Sequence, residues 1–355
     1  MTGNTYSVTV EPLGQTVKVE PGQTILDACL RSGIYLPYQC NHGLCSTCKV
    51  AVLDGEVDLG DASPFALMDF EREEGRALAC CARPLSDVTI EADIEVDPDA
   101  RNCPVLDIDC TVAEIRPLAR DIIGIWLDPG AAAFDFQAGQ YVQLKIPGVD
   151  GERAFSLANP PGSRHLELHI RQVPGGKGTT YLHQSLKVGD RLALSGPYGR
   201  FYVRESSSLP MIFIAGGSGL SSPKSMIEDL LARGFDQKIT LLHGVRQRQD
   251  LYYDDLFRAL EAAHGNFAYV PVLSDPQPGD DWDGETGFVH EAAVRRFDGG
   301  FRGHKAYLCG PPPMIDAGIR ALMKGRLFDR DIHTESFLTK ADDKAPQRSP
   351  LSQRM

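Results

Sequence analysis

Three cysteines fall within nine residues, in Cys40-Asn-His-Gly-Leu-Cys45-Ser-Thr-Cys48. Their spacing, C-x4-C-x2-C, is one that holds a [2Fe–2S] cluster when a fourth cysteine follows further along the chain. The physical reason is a tight loop. Small residues at Gly43, Ser46 and Thr47 let backbone N–H groups face the sulfurs while the thiolates converge. The fourth ligand is Cys80 or its neighbour Cys81. A structural zinc site prefers paired C-x2-C elements, and this stretch supplies one pair. The remaining Cys29, Cys81, Cys103 and Cys110 read as small buried apolar residues.

A second set of residues could hold a dinucleotide. Gly216-Gly217-Ser218-Gly219 directly follows an apolar strand at Met211–Ala215, and Ser222-Pro223 opens a helix behind it. Glycines there allow a tight turn that brings backbone N–H groups onto a pyrophosphate at the helix start. His243-Gly-Val-Arg246 follows the second strand of this region and Cys309-Gly-Pro-Pro-Pro-Met314 the fourth. Ligands of open α/β sheets sit at the carboxyl ends of strands, so these loops are expected to share one crevice. Arg246 and Arg248 lie where a 2′-phosphate would sit, which on physical grounds admits NADPH. His42, His165, His169, His183 and His290 show no ligand spacing and read as surface or satisfied polar residues.

These groups need three supporting segments. The chain has 355 residues, enough for two or three domains. A first segment, 1–94, has short strands at Tyr6–Val10 and Thr16–Val19 and a helix capped by Thr24 and ended at Gly33. A second helix is expected from Ser63-Pro64 to Gly75. An acidic linker, 95–103, leads to segment 104–205. There, alternations such as Tyr141-Val-Gln-Leu-Lys-Ile146 and His165-Leu-Glu-Leu-His-Ile170 indicate an antiparallel β-barrel or sandwich. Segment 206–340 alternates strand and helix, the pattern of a doubly wound α/β sheet, and 341–355 is a polar tail.

Composition narrows the function classes. Net charge is −12, which argues against nucleic acid or an anionic membrane as partner. The longest strongly apolar run, from Pro210 to Gly217, is too short to span a bilayer. The start carries neither a basic region nor an apolar core, and nine cysteines are an odd number, so a reducing cytoplasm is expected.

Family resemblances sharpen these readings. Cys80-Cys-Ala-Arg-Pro84-Leu-Ser-Asp resembles the end of plant-type ferredoxins, whose last ligand lies four residues before a proline; that position is Cys80. The ligand set the resemblance implies is Cys40, Cys45, Cys48 and Cys80, in an α+β (β-grasp) domain. Arg153-Ala-Phe155-Ser156 resembles the R-x-Y-S flavin motif of the ferredoxin–NADP reductase family. It implies Arg153 on the flavin pyrophosphate, Phe155 stacked on the ring system and Ser156 bonded to flavin N5, with the phenolic hydroxyl of the usual tyrosine missing. Gly176-Lys-Gly-Thr179 matches the family's G-x-x-[ST] element, and Gly196-Pro-Tyr-Gly199 stands at the barrel exit. The residues do not separate FAD from FMN; the resemblance implies FAD. Cys309, Gly310 and Pro311 resemble the C-G-P-x-x-M signature, which sits beside the nicotinamide C4 and acts by packing and orientation. Glu335 and Phe337 correspond to a position close to the flavin face, although a final core strand explains them equally well. Asp250-Leu251 in that resemblance points to NADH.

All three segments together resemble the reductase components of bacterial multicomponent oxygenases. Val8 to Gln15 and Ser63 to Gly75 look like the phenol hydroxylase reductases, which partner a diiron hydroxylase in aromatic hydrocarbon catabolism. The implied route runs from NADH through FAD and the [2Fe–2S] cluster to the oxygenase component. Three alternatives share parts of this reading: a reductase for a Rieske-type dioxygenase or toluene monooxygenase, one for a sugar-deoxygenation enzyme, and a redox-sensing interaction protein without turnover. The ferredoxin segment's Asp54, Glu56, Asp58, Asp61, Asp69, Glu71, Glu73 and Glu74 suggest docking onto a basic patch of the partner.

Overall fold

A computed structural model describes residues 4–38, 41, 43–94 and 97–337. They form two compact units, one drawn from positions up to 106 together with 196–199, the other from 107–195 together with 200–337.

The first unit is built on a mixed five-stranded sheet. Tyr6–Glu11 pairs antiparallel with Gln15–Val19 and parallel with Val88–Ala92. Lys49–Asp54 and Arg76–Leu78 extend the sheet. Val8, Val10, Val17 and Val19 alternate with polar residues and are buried, the period-two pattern of a half-covered sheet. The helix Ile25–Arg31 buries Ile25, Leu26, Cys29 and Leu30. Thr24 caps it by accepting from the Asp27 N–H at 3.3 Å, and Gly33 follows the C-cap at φ +73°. The second helix is shorter than the sequence suggests, Asp69–Glu73 only. The Ser63 carbonyl accepts from both Ala66 and Leu67, closing a turn, and Met68 is extended at ψ 158°. Ser63-Pro64 therefore opens a turn, and the helix starts only where the Glu71 carboxylate accepts from the Met68 N–H.

The second unit holds two six-stranded sheets. The first runs Glu152–Ser156, Tyr141–Lys145, Arg191–Tyr198, Leu106–Ala119, Ile122–Asp128, Leu166–Arg171. Tyr141–Lys145 pairs antiparallel with Glu152–Ser156, and Ile122–Asp128 with both Leu106–Ala119 and Leu166–Arg171; a bridge between Leu157 and Leu168 joins the two ends of the sheet, closing a barrel. Val142, Leu144, Leu157, Leu168, Ile170 and Leu194 fill it.

The other sheet is parallel, in the order Glu285–Thr286, Phe267–Leu273, Ile239–Val245, Met211–Gly216, Lys305–Gly310, Ile332–Ser336. The helices Ser221–Ala232, Asp254–Ala263, Val289–Arg296 and Pro312–Lys324 pack against it, the arrangement expected of a doubly wound α/β fold. Strand order reverses between Met211–Gly216 and Lys305–Gly310, which makes their carboxyl ends the switch point where such sheets bind ligands. Two strands run further than the sequence suggested. His243, Gly244 and Val245 pair with Pro271, Val272 and Leu273, so only Arg246 of that motif leaves the sheet. Cys309 and Gly310 likewise pair with Glu335 and Ser336.

Candidate flavin, nucleotide and iron–sulfur sites

Three separate elements bring side chains to one carboxylate, Glu335, at the switch point. Ser156, at the end of a barrel strand, donates to Glu335 Oε2 at 2.9 Å. Ser222, in the first turn of the helix Ser221–Ala232, donates to the same oxygen at 2.6 Å. The Cys309 thiol lies 3.5 Å from it, on the strand adjacent to Glu335's own. Burial raises the Glu335 carboxyl above the ordinary carboxylate range, against the three donors that favour its charged form. Burial, with the Glu335 charge added, raises the Cys309 thiol far above its ordinary value. Cys309 is thus a neutral packing group rather than a thiolate nucleophile. The Phe337 N–H donates to the Gly310 carbonyl at 2.9 Å, which holds the strand end beside the Cys309-Gly310-Pro311 turn.

The glycine turn is built by close approach. A Cβ on Gly219 would lie 2.3 Å from the Cys309 carbonyl oxygen, and one on Gly216 would lie 2.4 Å from the Met314 sulfur. Only glycine lets the turn approach the Cys309 strand end so closely, and lets Met314 of the helix Pro312–Lys324 pack onto Gly216. Gly217 differs: it has φ +54° and open space where a side chain would be. Arg246 and Arg248 are both exposed, and Arg248 donates from Nη1 to the carbonyls of Asp280 at 2.6 Å and Asp281 at 2.9 Å.

On the barrel, Arg153 and Phe155 lie two residues apart, on one face of their strand, and Ser156 lies on the other. Arg153 Nη1 donates to the Asp150 and Glu152 carbonyls. Gly176 begins the eight-residue helix Lys177–Gln184 with no side chain capping it. Thr179 Oγ1 accepts from the Val173 N–H at 3.1 Å and so fixes the loop before that helix. The first-turn N–H groups have no acceptor within the helix and suit a phosphate.

In the first unit, Cys48 Sγ and Cys80 Sγ are 3.2 Å apart, and Cys80 Sγ is 3.7 Å from Cys81 Sγ. The contact with Cys80 lowers the Cys48 thiol to about 7, and Cys80 rises in turn. Sulfurs so close, one of them easily ionised, suit a metal site, where each ligating thiol gives up its proton. Cys45 is half-buried on the same loop, and Cys40 lies outside the described residues. Among the described residues no three ligand side chains converge on one point. Gly43 sits at φ +73°, where a Cβ would be 2.6 Å from Cys81 Sγ. The loop therefore needs glycine to pack over the cysteine pair.

Comparison with known proteins matches each of these regions. The 2Fe-2S iron-sulfur cluster binding domain covers residues 8–85, the oxidoreductase FAD-binding domain 109–202, and the oxidoreductase NAD-binding domain 213–318. The chain is 57% identical over 338 residues to the phenol 2-monooxygenase reductase component DmpP of Pseudomonas sp. (strain CF600), covering 95% of this chain and 96% of that one. The chain belongs to the family of phenol hydroxylase reductase components. A second member, the phenol hydroxylase P5 protein of Acinetobacter pittii (strain PHEA-2), is 54% identical over 348 residues, with 98% of each chain covered. Among solved structures, the Amycolatopsis cytochrome P450 reductase GcoB superposes with a TM-score of 0.85 at 40% identity, over 94% of this chain and 98% of that one.

The family's three cofactors are FAD, NAD and a [2Fe–2S] cluster. The residues present fit each of them. The uncapped helix start at Gly176, the open space before Gly217 and the adjoining Cys48 and Cys80 sulfurs are the observations that carry the fit. Ser222 escaped the sequence reading as a site residue, because nothing local ties the opening of a helix to a carboxylate 113 residues away. In the strand Leu166–Arg171, Glu167 and His169 are both buried, and His169, read as a surface or satisfied polar residue, is a satisfied one, its Nε2 lying 2.8 Å from Glu167 Oε1. They face a lysine, Lys224, whose Nζ donates to Glu167 Oε2 at 3.0 Å. A buried lysine supplied by another element is invisible to strand periodicity.

Proposed function

We propose that this chain carries electrons from NADH through FAD and its [2Fe–2S] cluster to the diiron oxygenase component of a phenol hydroxylase, in the cytoplasm. The observation that carries the reading is the convergence of Ser156, Ser222 and Cys309 on Glu335 at the switch point. It joins a flavin-type barrel to a nucleotide-type sheet. When bound, FAD accepts two electrons as a hydride and releases them singly, which the cluster alone cannot do. The residues of the chain orient the two ring systems. Ser156 and Cys309 both meet the carboxylate at Oε2, and the glycine turn lets the nucleotide backbone approach closely. NADH rather than NADPH fits the pinning of Arg248, whose Nη1 is taken by two carbonyls. Among the described residues no helix is long and apolar enough to cross a membrane.

The docking face follows from the first unit. Ser46 Oγ donates to the Ala66 carbonyl at 2.9 Å, and Ser63 N–H to the Gly43 carbonyl at 3.1 Å, so the cysteine loop and the 63–68 turn are one surface. It displays Leu44 at 59%, Phe65 at 91% and Met68 at 50% exposure. Asp61, Asp69, Glu73 and Glu74 lie on the same stretch of chain, while Glu71 is paired with Lys49. An apolar centre with an acidic rim suits a partner carrying basic residues around an apolar patch.

In a reconstituted system, NADH-driven phenol hydroxylation should slow as salt is added, because the screening length is about 8 Å near physiological ionic strength. Ferricyanide reduction, which bypasses the docking step, should barely change. Product formation with a Rieske dioxygenase but not with a diiron phenol hydroxylase would remove the partner from this reading.

A further inference from the structure

The second unit contains a buried polar network that takes no part in the convergence on Glu335. Lys224 Nζ donates to Glu167 Oε2 at 3.0 Å, to Glu228 Oε2 at 2.8 Å and to the Ala158 carbonyl at 3.1 Å. Glu167 Oε1 accepts from Tyr253 and lies 2.8 Å from His169 Nε2. His169 Nδ1 lies 3.2 Å from the Tyr252 hydroxyl, and that hydroxyl donates to the Gly217 carbonyl at 3.2 Å. Glu167, His169, Lys224 and Tyr252 are each at most 5% exposed.

The chain of bonds has a direction. Lys224 and Tyr253 both donate to Glu167, which keeps it ionised, so His169 must offer Glu167 its Nε2–H. Nδ1 is then left as an acceptor. The single hydroxyl proton of Tyr252 lies between Nδ1 and the Gly217 carbonyl. Tyr252 also packs edge-on against His169 on one side, with ring centroids 5.2 Å apart, and against His243 on the other, 5.6 Å apart. Its ring cannot swing away without breaking into both.

Gly217 is the residue in this turn with a left-handed backbone and open space before it. In a trans peptide the carbonyl of one residue and the N–H of the next point in opposite directions. A partner that fixes the Gly217 carbonyl therefore also aims the Ser218 N–H away from the network. We propose that Tyr252 is a positioning residue for the nicotinamide dinucleotide. It holds the Gly217–Ser218 peptide so that the N–H faces the pyrophosphate, its one hydroxyl proton shared between the Gly217 carbonyl and Nδ1 of His169 in the flavin barrel. The inference rests on the reading of Gly216–Gly219 as the nucleotide turn.

The test is anaerobic stopped-flow reduction of bound flavin by NADH in the full-length protein. Tyr252→Phe keeps the ring and removes the hydroxyl. The NADH dissociation constant should rise about fivefold, the worth of one hydrogen bond, while the limiting rate and the FAD content stay near wild type. In Tyr252→Phe/His169→Leu the constant should match that of Tyr252→Phe within about twofold, because His169 acts only through the hydroxyl. A further large rise in the double variant, an unchanged constant in Tyr252→Phe, or loss of FAD from it would each overturn the proposal. Gly217→Ala separates the two readings. A weaker NADH complex there, beside an unaffected Tyr252→Phe, keeps the nucleotide turn and removes Tyr252. No change in either variant removes the turn itself.

Discussion

Cys45→Ser should abolish the visible and paramagnetic signals of the [2Fe–2S] cluster and leave FAD bound. Transfer from NADH to cytochrome c should fall to background. Ferricyanide reduction should stay within about twofold of wild type, since a change in one unit adds little to the behaviour of a separately cored one. The structural basis is the division of the chain. Cys45 belongs to the unit whose core is Val8, Val10, Leu26, Val50, Leu78 and Ile90, while the barrel and the parallel sheet have cores of their own in the other. Flavin content and the two dye assays on one preparation check this, and loss of FAD would contradict it.

Glu335→Ala should give the largest effect on flavin reduction. The carboxylate holds Ser156 and Ser222 and touches Cys309, and removing it leaves those groups unoriented. A charge-assisted hydrogen bond contributes about 1.5–3 kcal/mol, so the limiting rate with NADH should drop about ten- to a hundredfold. Glu335→Gln separates charge from shape. The Glu335 carboxyl titrates above the ordinary carboxylate range, so in the wild type it loses its charge as pH falls through that raised value. Flavin reduction should therefore show an ionisation displaced upward from the usual carboxylate position, and Glu335→Gln should lack it. The same profile in both proteins would mean that another group titrates.

How much of this was legible in the sequence depended on whether the chemistry was local. The cysteine spacing and the glycine turn are each contained in fewer than ten residues, and loop geometry constrains them directly. The Thr24 cap and the alternating barrel strands are local in the same sense, and they read correctly. The helix expected from Ser63-Pro64 did not. Proline favours the first turn of a helix but equally a tight turn, and bonds from Ala66 and Leu67 to one carbonyl chose the turn. Glu335 was reachable only through a family likeness, because its partners come from three other elements. The burial of Glu167 was not legible, because alternation reports one covered face, and helix Ser221–Ala232 supplies a second cover together with the lysine that neutralises Glu167. Tertiary pairing of this kind has no signature along a single strand.

The most direct test of the electron route is anaerobic rapid mixing of the full-length protein with a single equivalent of NADH, following flavin absorbance and the cluster's paramagnetic signal together. The flavin band should bleach first, and the cluster signal should grow at the expense of that reduced flavin. In Cys45→Ser the bleaching should occur and persist. A cluster signal that rises without prior flavin bleaching, or a bleached flavin that never yields one, would contradict the account.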